Sequence, residues 1–317
     1  MKIVVLDGFT LNPGDLDWSE LEKIGNVEVY ERTSPDQLLL RAADAEIVFT
    51  NKTVLKGPDL DRLPALRYIG VLATGYDIVD IEAARQQGIT VTNVPGYGPD
   101  SVGQMVFAHI LNVTNNVAEH AQHVGGGGWS KADDYCYWLT PQVELKDKVL
   151  GIIGYGEIGK ATARIGIAFG MKVVIATRTP PKSLPAGITH TSITELLATA
   201  DIISLHCPLT DQTRQLIDEK NIELMKNSAI LVNCSRGPLV DEEALANALN
   251  TGRIRAACLD VLSEEPVRHE NPLIGAKNCF ITPHIAWATL EARTRLLAIA
   301  VDNLRAFLQH KKRNCLT

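Results

Sequence analysis

Arg236, Glu265 and His284 are a guanidinium, a carboxylate and an imidazole in the second half of the chain. A guanidinium grips a planar carboxylate bidentately and can polarise an adjacent carbonyl. A histidine titrates near neutral pH, so it can give a proton to a reacting oxygen or take one from it. A carboxylate that meets such a ring favours imidazolium and holds it in one tautomer. Each residue alone has a plainer reading: a solvated loop arginine, a solvated acid, a histidine that is merely hydrogen-bonded. Their placement gives them weight. The polar residues that follow the apolar runs of this half are Thr177-Arg178, His206-Cys207-Pro208, Asn233-Cys234-Ser235-Arg236-Gly237, Asp260 and Pro283-His284. In an open α/β sheet, ligands bind beyond the carboxyl ends of the strands, which puts all of these on one rim.

The elements that must position them start at a glycine fingerprint. Residues 149–153 are a short apolar strand, followed at once by Gly154-Tyr155-Gly156-Glu157-Ile158-Gly159, a helical pattern to Phe169 closed by Gly170, and a second strand at 172–176. That βαβ unit fits a dinucleotide. Gly154 permits the turn, Gly156 admits a pyrophosphate close to the backbone, and Gly159 lets the helix pack on the sheet. Unpaired N–H groups at the helix start face the phosphates. Further strands are predicted at 202–205, 229–233, 256–259 and 279–282, with helices at 193–199, 218–225 and 241–250, the last capped by Asp241.

Residues 1–93 alternate in the same manner. Strands are expected at 2–6, 27–31, 46–50, 67–72 and 89–93, and helices at 15–24, 35–43 and 80–87, a pattern that implies a parallel sheet covered on both faces. The run Pro95-Gly96-Tyr97-Gly98-Pro99-Asp100 breaks the alternation and reads as a crossing between domains. One long helix is expected over 101–123, with an apolar face broad enough to suggest an interface. The irregular, aromatic stretch 129–147 reads as an arm or loop reaching across it. A last helix at 289–309 is free to pack back on the first domain. The expected organisation is therefore two doubly wound α/β parallel-sheet domains: residues 1–100 with 285–317, and a Rossmann nucleotide-binding domain over 101–284.

A length of 317 residues suits two domains, and 45% hydrophobic residues suit a globular protein with a large core. The net charge of −6 argues against nucleic acid or an anionic membrane as the main partner. The N-terminal apolar run ends at Asp7, too early for a signal peptide or membrane span, so a soluble, cytoplasmic protein is expected. The six cysteines have no zinc spacing and several lie in or beside apolar runs, as reduced core residues do. No metal site is expected.

Taken together, the segments at 154–159, 206–210 (His-Cys-Pro-Leu-Thr), 233–241, 260–266 and 282–284 (Thr-Pro-His) resemble the D-isomer-specific 2-hydroxyacid dehydrogenase family, in the expected order and over nearly the whole chain. The resemblance implies that Arg236 binds the substrate carboxylate and polarises the keto group, that His284 is the acid/base, and that Glu265 tunes it. It also implies that the backbone N–H groups of Thr74 and Gly75, in Ala73-Thr74-Gly75-Tyr76-Asp77, hold the carboxylate. The cofactor would lie on Tyr155, Gly156, Glu157 and Ile158 at the helix start and on Thr177 and Arg178 at the end of the unit. Along the rim it would meet Cys207, Pro208, Cys234, Ser235, His284 and, beside the nicotinamide carboxamide, Asp260. Members usually dimerise through the nucleotide domain, so a homodimer is expected.

Two positions depart from the common pattern. Where many members carry an Asp for the ribose hydroxyls, this chain has Thr177 and Arg178, so no carboxylate repels a 2′-phosphate and NADP(H) is expected to be accepted and favoured over NAD(H). Gln104 stands where a Glu is frequent. For the substrate, residues 6–18 and Tyr135-Cys136-Tyr137-Trp138 look most similar to the glycerate dehydrogenase (hydroxypyruvate reductase) branch. Hydroxypyruvate or glyoxylate is the expected 2-keto acid, with D-glycerate or glycolate as product. A larger 2-keto acid such as 2-ketogluconate is the runner-up. A phosphoglycerate dehydrogenase is weakened by the missing regulatory extension. A dinucleotide-sensing corepressor-like binding protein is the alternative from another class.

Overall fold

The computed structural model describes residues 1–317. The chain divides into two compact units, Met1–Gly98 with Ala288–Thr317, and Pro99–Trp287. The divisions fall two or three residues from the expected 100/101 and 284/285. Pro99 opens the helix Pro99–Asn115, and the backbone of Ile285 and Ala286 is bonded to Asp260 of the second unit.

The first unit is built on a five-stranded parallel sheet of β1 (Lys2–Val5), β2 (Asn26–Val29), β3 (Ile47–Thr50), β4 (Tyr68–Val71) and β5 (Thr90–Thr92), in the order β2-β1-β3-β4-β5. All four residues of β3 and of β4 are buried, which is why these strands read as unbroken apolar runs. Val4, Leu6, Val48, Ile69 and Val91 share a core with Leu38 and Ala42 of the helix Pro35–Ala42 and with Ala84 of the helix Ile81–Gln86. The helix Leu290–Leu308 also belongs to this unit; its Phe307 ring meets Tyr68 at 5.0 Å, and its Asn303 Nδ2 donates to the Asn93 carbonyl at 2.9 Å. The helix expected over 15–24 is only Ser19–Glu22. Asn12 Oδ1 takes the N–H groups of Gly14 (3.0 Å) and Leu16 (2.9 Å), and Asp15 is clamped by both terminal nitrogens of the buried Arg293 at 2.6 Å. A side-chain turn has outcompeted the helix there.

The second unit has a seven-stranded parallel sheet: β6 (Val149–Ile153), β7 (Lys172–Ala176), β8 (Ile188–His190), β9 (Ile202–Leu205), β10 (Ile230–Asn233), β11 (Ala256–Leu259) and β12 (Cys279–Ile281). Their order is β12-β11-β10-β9-β6-β7-β8. The winding therefore reverses at β6, between β7 and β9, and a crevice opens beyond its carboxyl end. The sequence reading lacks β8, an edge strand of three residues with only Ile188 buried. The single helix expected over 101–123 is two, Pro99–Asn115 and Val117–Gly125, because Asn116 adopts a left-handed φ of 47° that ends the first. Pro99–Asn115 lies against the helix Glu157–Ala168 at Gly103, where a Cβ would just touch the Thr162 nitrogen at 3.4 Å. Val106, Phe107, Ile110 and Val113 pack with Ile152, Ala163, Val173 and Cys258. Much of the broad apolar face is thus used inside the unit. No helix is long and apolar enough to cross a membrane.

Candidate active site

The crevice beyond β6 is shaped by its three glycines. Gly154 has φ 96°, and a Cβ on it would lie 2.5 Å from the Cys207 nitrogen, so the turn after β6 lies directly against the end of β9. A Cβ on Gly159 would strike the Gly154 carbonyl oxygen at 2.3 Å. Gly156, the N-cap of Glu157–Ala168, is the exception, since a Cβ there meets nothing within 4 Å. The N–H groups of the helix's first turn, which Gly156 precedes, have no partner within the helix and favour an anion. Glu157 does not oppose one, because Lys160 Nζ holds its carboxylate at 2.7 Å. The residues present therefore fit a dinucleotide pyrophosphate. At the carboxyl end of β7, Thr177 is half-buried and Arg178 is exposed.

Farther along the rim, the loop after β10 is braced from within. Asn233 is fully buried, its Nδ2 donates to the Arg236 carbonyl (2.8 Å), and its Oδ1 accepts from the Ser235 N–H (3.0 Å). Ser235 Oγ donates to the Cys207 carbonyl at 2.8 Å, joining the loops after β9 and β10. The Arg236 guanidinium donates through Nη1 to the Ser235 carbonyl at 2.8 Å. Gly237 is pressed on the backbone of the next loop: a Cβ would fall 1.9 Å from the Leu262 carbonyl carbon. The loop carrying Arg236 and the loop leading to Glu265 are thus in direct contact.

Glu265 and His284 meet. Glu265 Oε2 lies 2.6 Å from His284 Nδ1, and its Oε1 accepts the Leu262 N–H at 3.1 Å. The His284 side chain is 29% exposed and that of Glu265 34%, so the pair is open to a ligand while partly desolvated. His284 has a left-handed φ of 55°, which costs a residue with a Cβ roughly 1–2 kcal/mol. The turn is held by His284 N–H to the Asp260 carbonyl (2.8 Å) and by Trp287 Nε1 to the His284 carbonyl (3.0 Å). Asp260, 1% exposed, accepts from the Ile285 N–H (2.9 Å), the Ala286 N–H (2.8 Å) and the Thr282 hydroxyl (2.6 Å).

Other rim groups are held uncharged. Burial pushes His206 down to about 4, with its Nε2 on Ser204 Oγ at 2.9 Å. It pushes the thiols of Cys207 and Cys234 up, so neither is a ready nucleophile. Thr74 and Gly75 belong to the first unit, where the Thr74 hydroxyl donates to the Val94 carbonyl (2.9 Å) and Asn93 Nδ2 to the Thr74 carbonyl (2.7 Å). Their own N–H groups make no backbone hydrogen bond. Sequence reasoning missed the supports rather than the polar groups. His109 and Thr282 brace Asp260, and Gly237 joins two loops, contacts that no spacing in the sequence marks.

Residues 107–286 match the family described as D-isomer specific 2-hydroxyacid dehydrogenase, NAD binding domain. The chain is 48% identical to the hydroxypyruvate reductase of Blautia hydrogenotrophica over 313 residues, 98% of this chain and 97% of that protein. It is 38% identical to the glycerate dehydrogenase of Methylorubrum extorquens, covering 99% and 98% of the two chains. Among solved structures, an acyclic imino acid reductase in complex with NADPH and D-Arg superposes with a TM-score of 0.86 at 32% identity, with both chains covered in full. A reversing parallel sheet with a glycine cradle, a relative 48% identical along the whole chain and the matched nucleotide-binding domain establish that this protein belongs to the D-isomer-specific 2-hydroxyacid dehydrogenase family.

Proposed function

We propose that the protein reduces a small 2-keto acid, hydroxypyruvate or glyoxylate, to the D-2-hydroxy acid, with NAD(P)H as the reductant. The observation that carries the reading is the 2.6 Å contact between Glu265 and His284 on the rim that also bears Arg236. An ionised carboxylate only accepts hydrogen bonds, so Nδ1 of His284 carries its proton toward Glu265 and Nε2 is the nitrogen that passes a proton to or from substrate. Arg236 binds the substrate carboxylate and stabilises the charge that develops on the keto oxygen as His284 protonates it. On the first unit, Thr74 and Gly75 are the residues assigned to substrate binding, through their N–H groups. The dinucleotide is held by the helix start at Tyr155, Gly156, Glu157 and Ile158, and by Thr177, Cys207, Pro208, Cys234, Ser235 and Asp260. When bound it supplies the hydride.

Arg178 supports NADPH as the favoured form, as an exposed guanidinium at the end of β7 with Thr177 in place of an acid. Residues 1–98 with 288–317 act as the substrate-binding domain, and 99–287 as the dinucleotide-binding domain. A homodimer through the latter is supported by what the 99–115 helix leaves uncovered. The exposed Phe169 stacks at 5.2 Å on the buried Phe107, and beside them a depression of about 440 Å³ combines Ala108, Leu111 and Ile165 with the polar Asp100, Gln104 and Arg164. Initial rates of NADH and NADPH oxidation with hydroxypyruvate, glyoxylate, pyruvate and 2-ketogluconate test the assignment. The highest kcat/KM is expected with hydroxypyruvate or glyoxylate. Preference for 2-ketogluconate would overturn the substrate, and a kcat/KM for NADH more than about tenfold above NADPH would overturn the cofactor assignment.

A further inference from the structure

The buried carboxylate of Asp260 is the hub of the turn that carries His284, and it reaches back into the helix Pro99–Asn115. Thr282 Oγ1 has one hydrogen and gives it to Asp260 Oδ1 at 2.6 Å. Its oxygen can then only accept on its other side, where His109 Nε2 lies at 3.1 Å. That assigns the Nε2–H tautomer to His109. The ring is 5% exposed and its pKa is lowered by burial, so it is a neutral donor at physiological pH. The same helix holds the turn at a second point, with Ser101 Oγ donating to the Ala286 carbonyl at 2.7 Å. Between these two grips His284 keeps its left-handed φ and its contact with Glu265.

We propose that His109 is a positioning residue for His284, acting in series through Thr282 and Asp260. It touches no reacting atom in this scheme. A leucine at 109 would fill similar space and remove the donor, leaving the Thr282 oxygen without its second partner and the turn tied to this helix through Ser101. A glutamine can restore an N–H. The alternative, a histidine that merely fills the core, predicts lost stability with an unaltered site.

The inference rests on His284 being the acid/base, and its test separates the two ideas. Wild type, His109→Leu, His109→Gln, Thr282→Val and the Leu/Val double variant are compared, with Val113→Ala as a control that loosens the same helix. Steady-state rates are taken with hydroxypyruvate and NADPH, and the His284 Nδ1–H resonance is followed by proton–nitrogen NMR, assigned through its loss in His284→Gln. We expect kcat in His109→Leu to fall roughly tenfold, within the range a sub-ångström to 1 Å misplacement produces. Gln should recover most of it, the double variant should be no worse than Thr282→Val, and Val113→Ala should keep wild-type kcat. The NMR signal should be sharp in wild type and His109→Gln and broadened in His109→Leu. An unchanged kcat and unchanged signal in His109→Leu would overturn the proposal. Wild type inactive on every keto acid would sink the functional reading alone, and the NMR comparison would still decide whether His109 positions His284.

Discussion

The three glycines of the fingerprint make different predictions when each is replaced by alanine. Gly156→Ala adds a methyl group that meets no protein atom within 4 Å, and φ at −80° suits alanine. Stability should change by no more than about 0.5 kcal/mol. The methyl occupies the space assigned to the pyrophosphate, and losing one hydrogen bond to a charged group is worth roughly 1.5–3 kcal/mol. At about 1.4 kcal/mol per tenfold, the Kd for NADPH should weaken by some 10- to 100-fold. Gly159→Ala places its methyl 2.3 Å from the Gly154 carbonyl oxygen and 3.3 Å from Ile152 Cγ2. Overpacking of that kind costs about 1–3 kcal/mol, or a few degrees in Tm per kcal/mol for a unit of this size. Gly159→Ala should therefore lose stability even without nucleotide. Calorimetric titration with NADPH and thermal denaturation of the nucleotide-free protein read both effects. A Gly156→Ala protein that binds NADPH as wild type does would refute the placement of the pyrophosphate at this helix start.

Three further substitutions probe the rim. His284→Ala should lower kcat about 10²-fold or more, the scale of general acid–base catalysis, and near wild-type turnover would remove His284 from that role. Gly237→Ala must part the 236 loop from the Leu262 backbone, since its Cβ would start 1.9 Å from a carbonyl carbon. Displacing Arg236 relative to Glu265 by about 1 Å should cost up to ~10² in kcat/KM, and a fully active variant would show the two loops need no fixed spacing. His206 gives a pH prediction. Its folded value, about 4, lies below the ordinary 6.5, so the unfolded chain binds the proton first as pH falls. Its contribution is complete above pH ~6.5 and is lost toward pH 4, up to roughly 3 kcal/mol. His206→Gln cannot titrate and should lose correspondingly less stability between pH 7 and 4.5 in urea unfolding. Equal losses in the two proteins would disprove it.

The parallel sheets were legible because strands buried on both faces leave apolar runs, as in β3, β4, β9, β10 and β11. Where the reading failed, a local side-chain or backbone event had overridden periodicity. Asn12 and Arg293 take the residues of the expected 15–24 helix into a turn. Asn116 splits a continuous helical pattern with a single left-handed residue. β8 is too short and too exposed to register as a strand by alternation.

The same division runs through the site. Arg236, Glu265 and His284 stand out as candidates because polar residues at strand ends stand apart from the apolar runs before them. His109 could not, because a histidine among Phe107, Ile110 and Val113 has the pattern of any buried helix face. Its partner Thr282 is 173 residues away, and the pairing exists only once the helix lies against β10 and β11. Gly237 is another such case, for nothing in the chain says that Leu262 will sit against it. Residues that could perform the chemistry are therefore visible one at a time in the sequence. The groups that hold them in register are visible only as contacts, and substitutions at His109 and Gly237 are the ones whose effect on turnover cannot be anticipated from residue type alone.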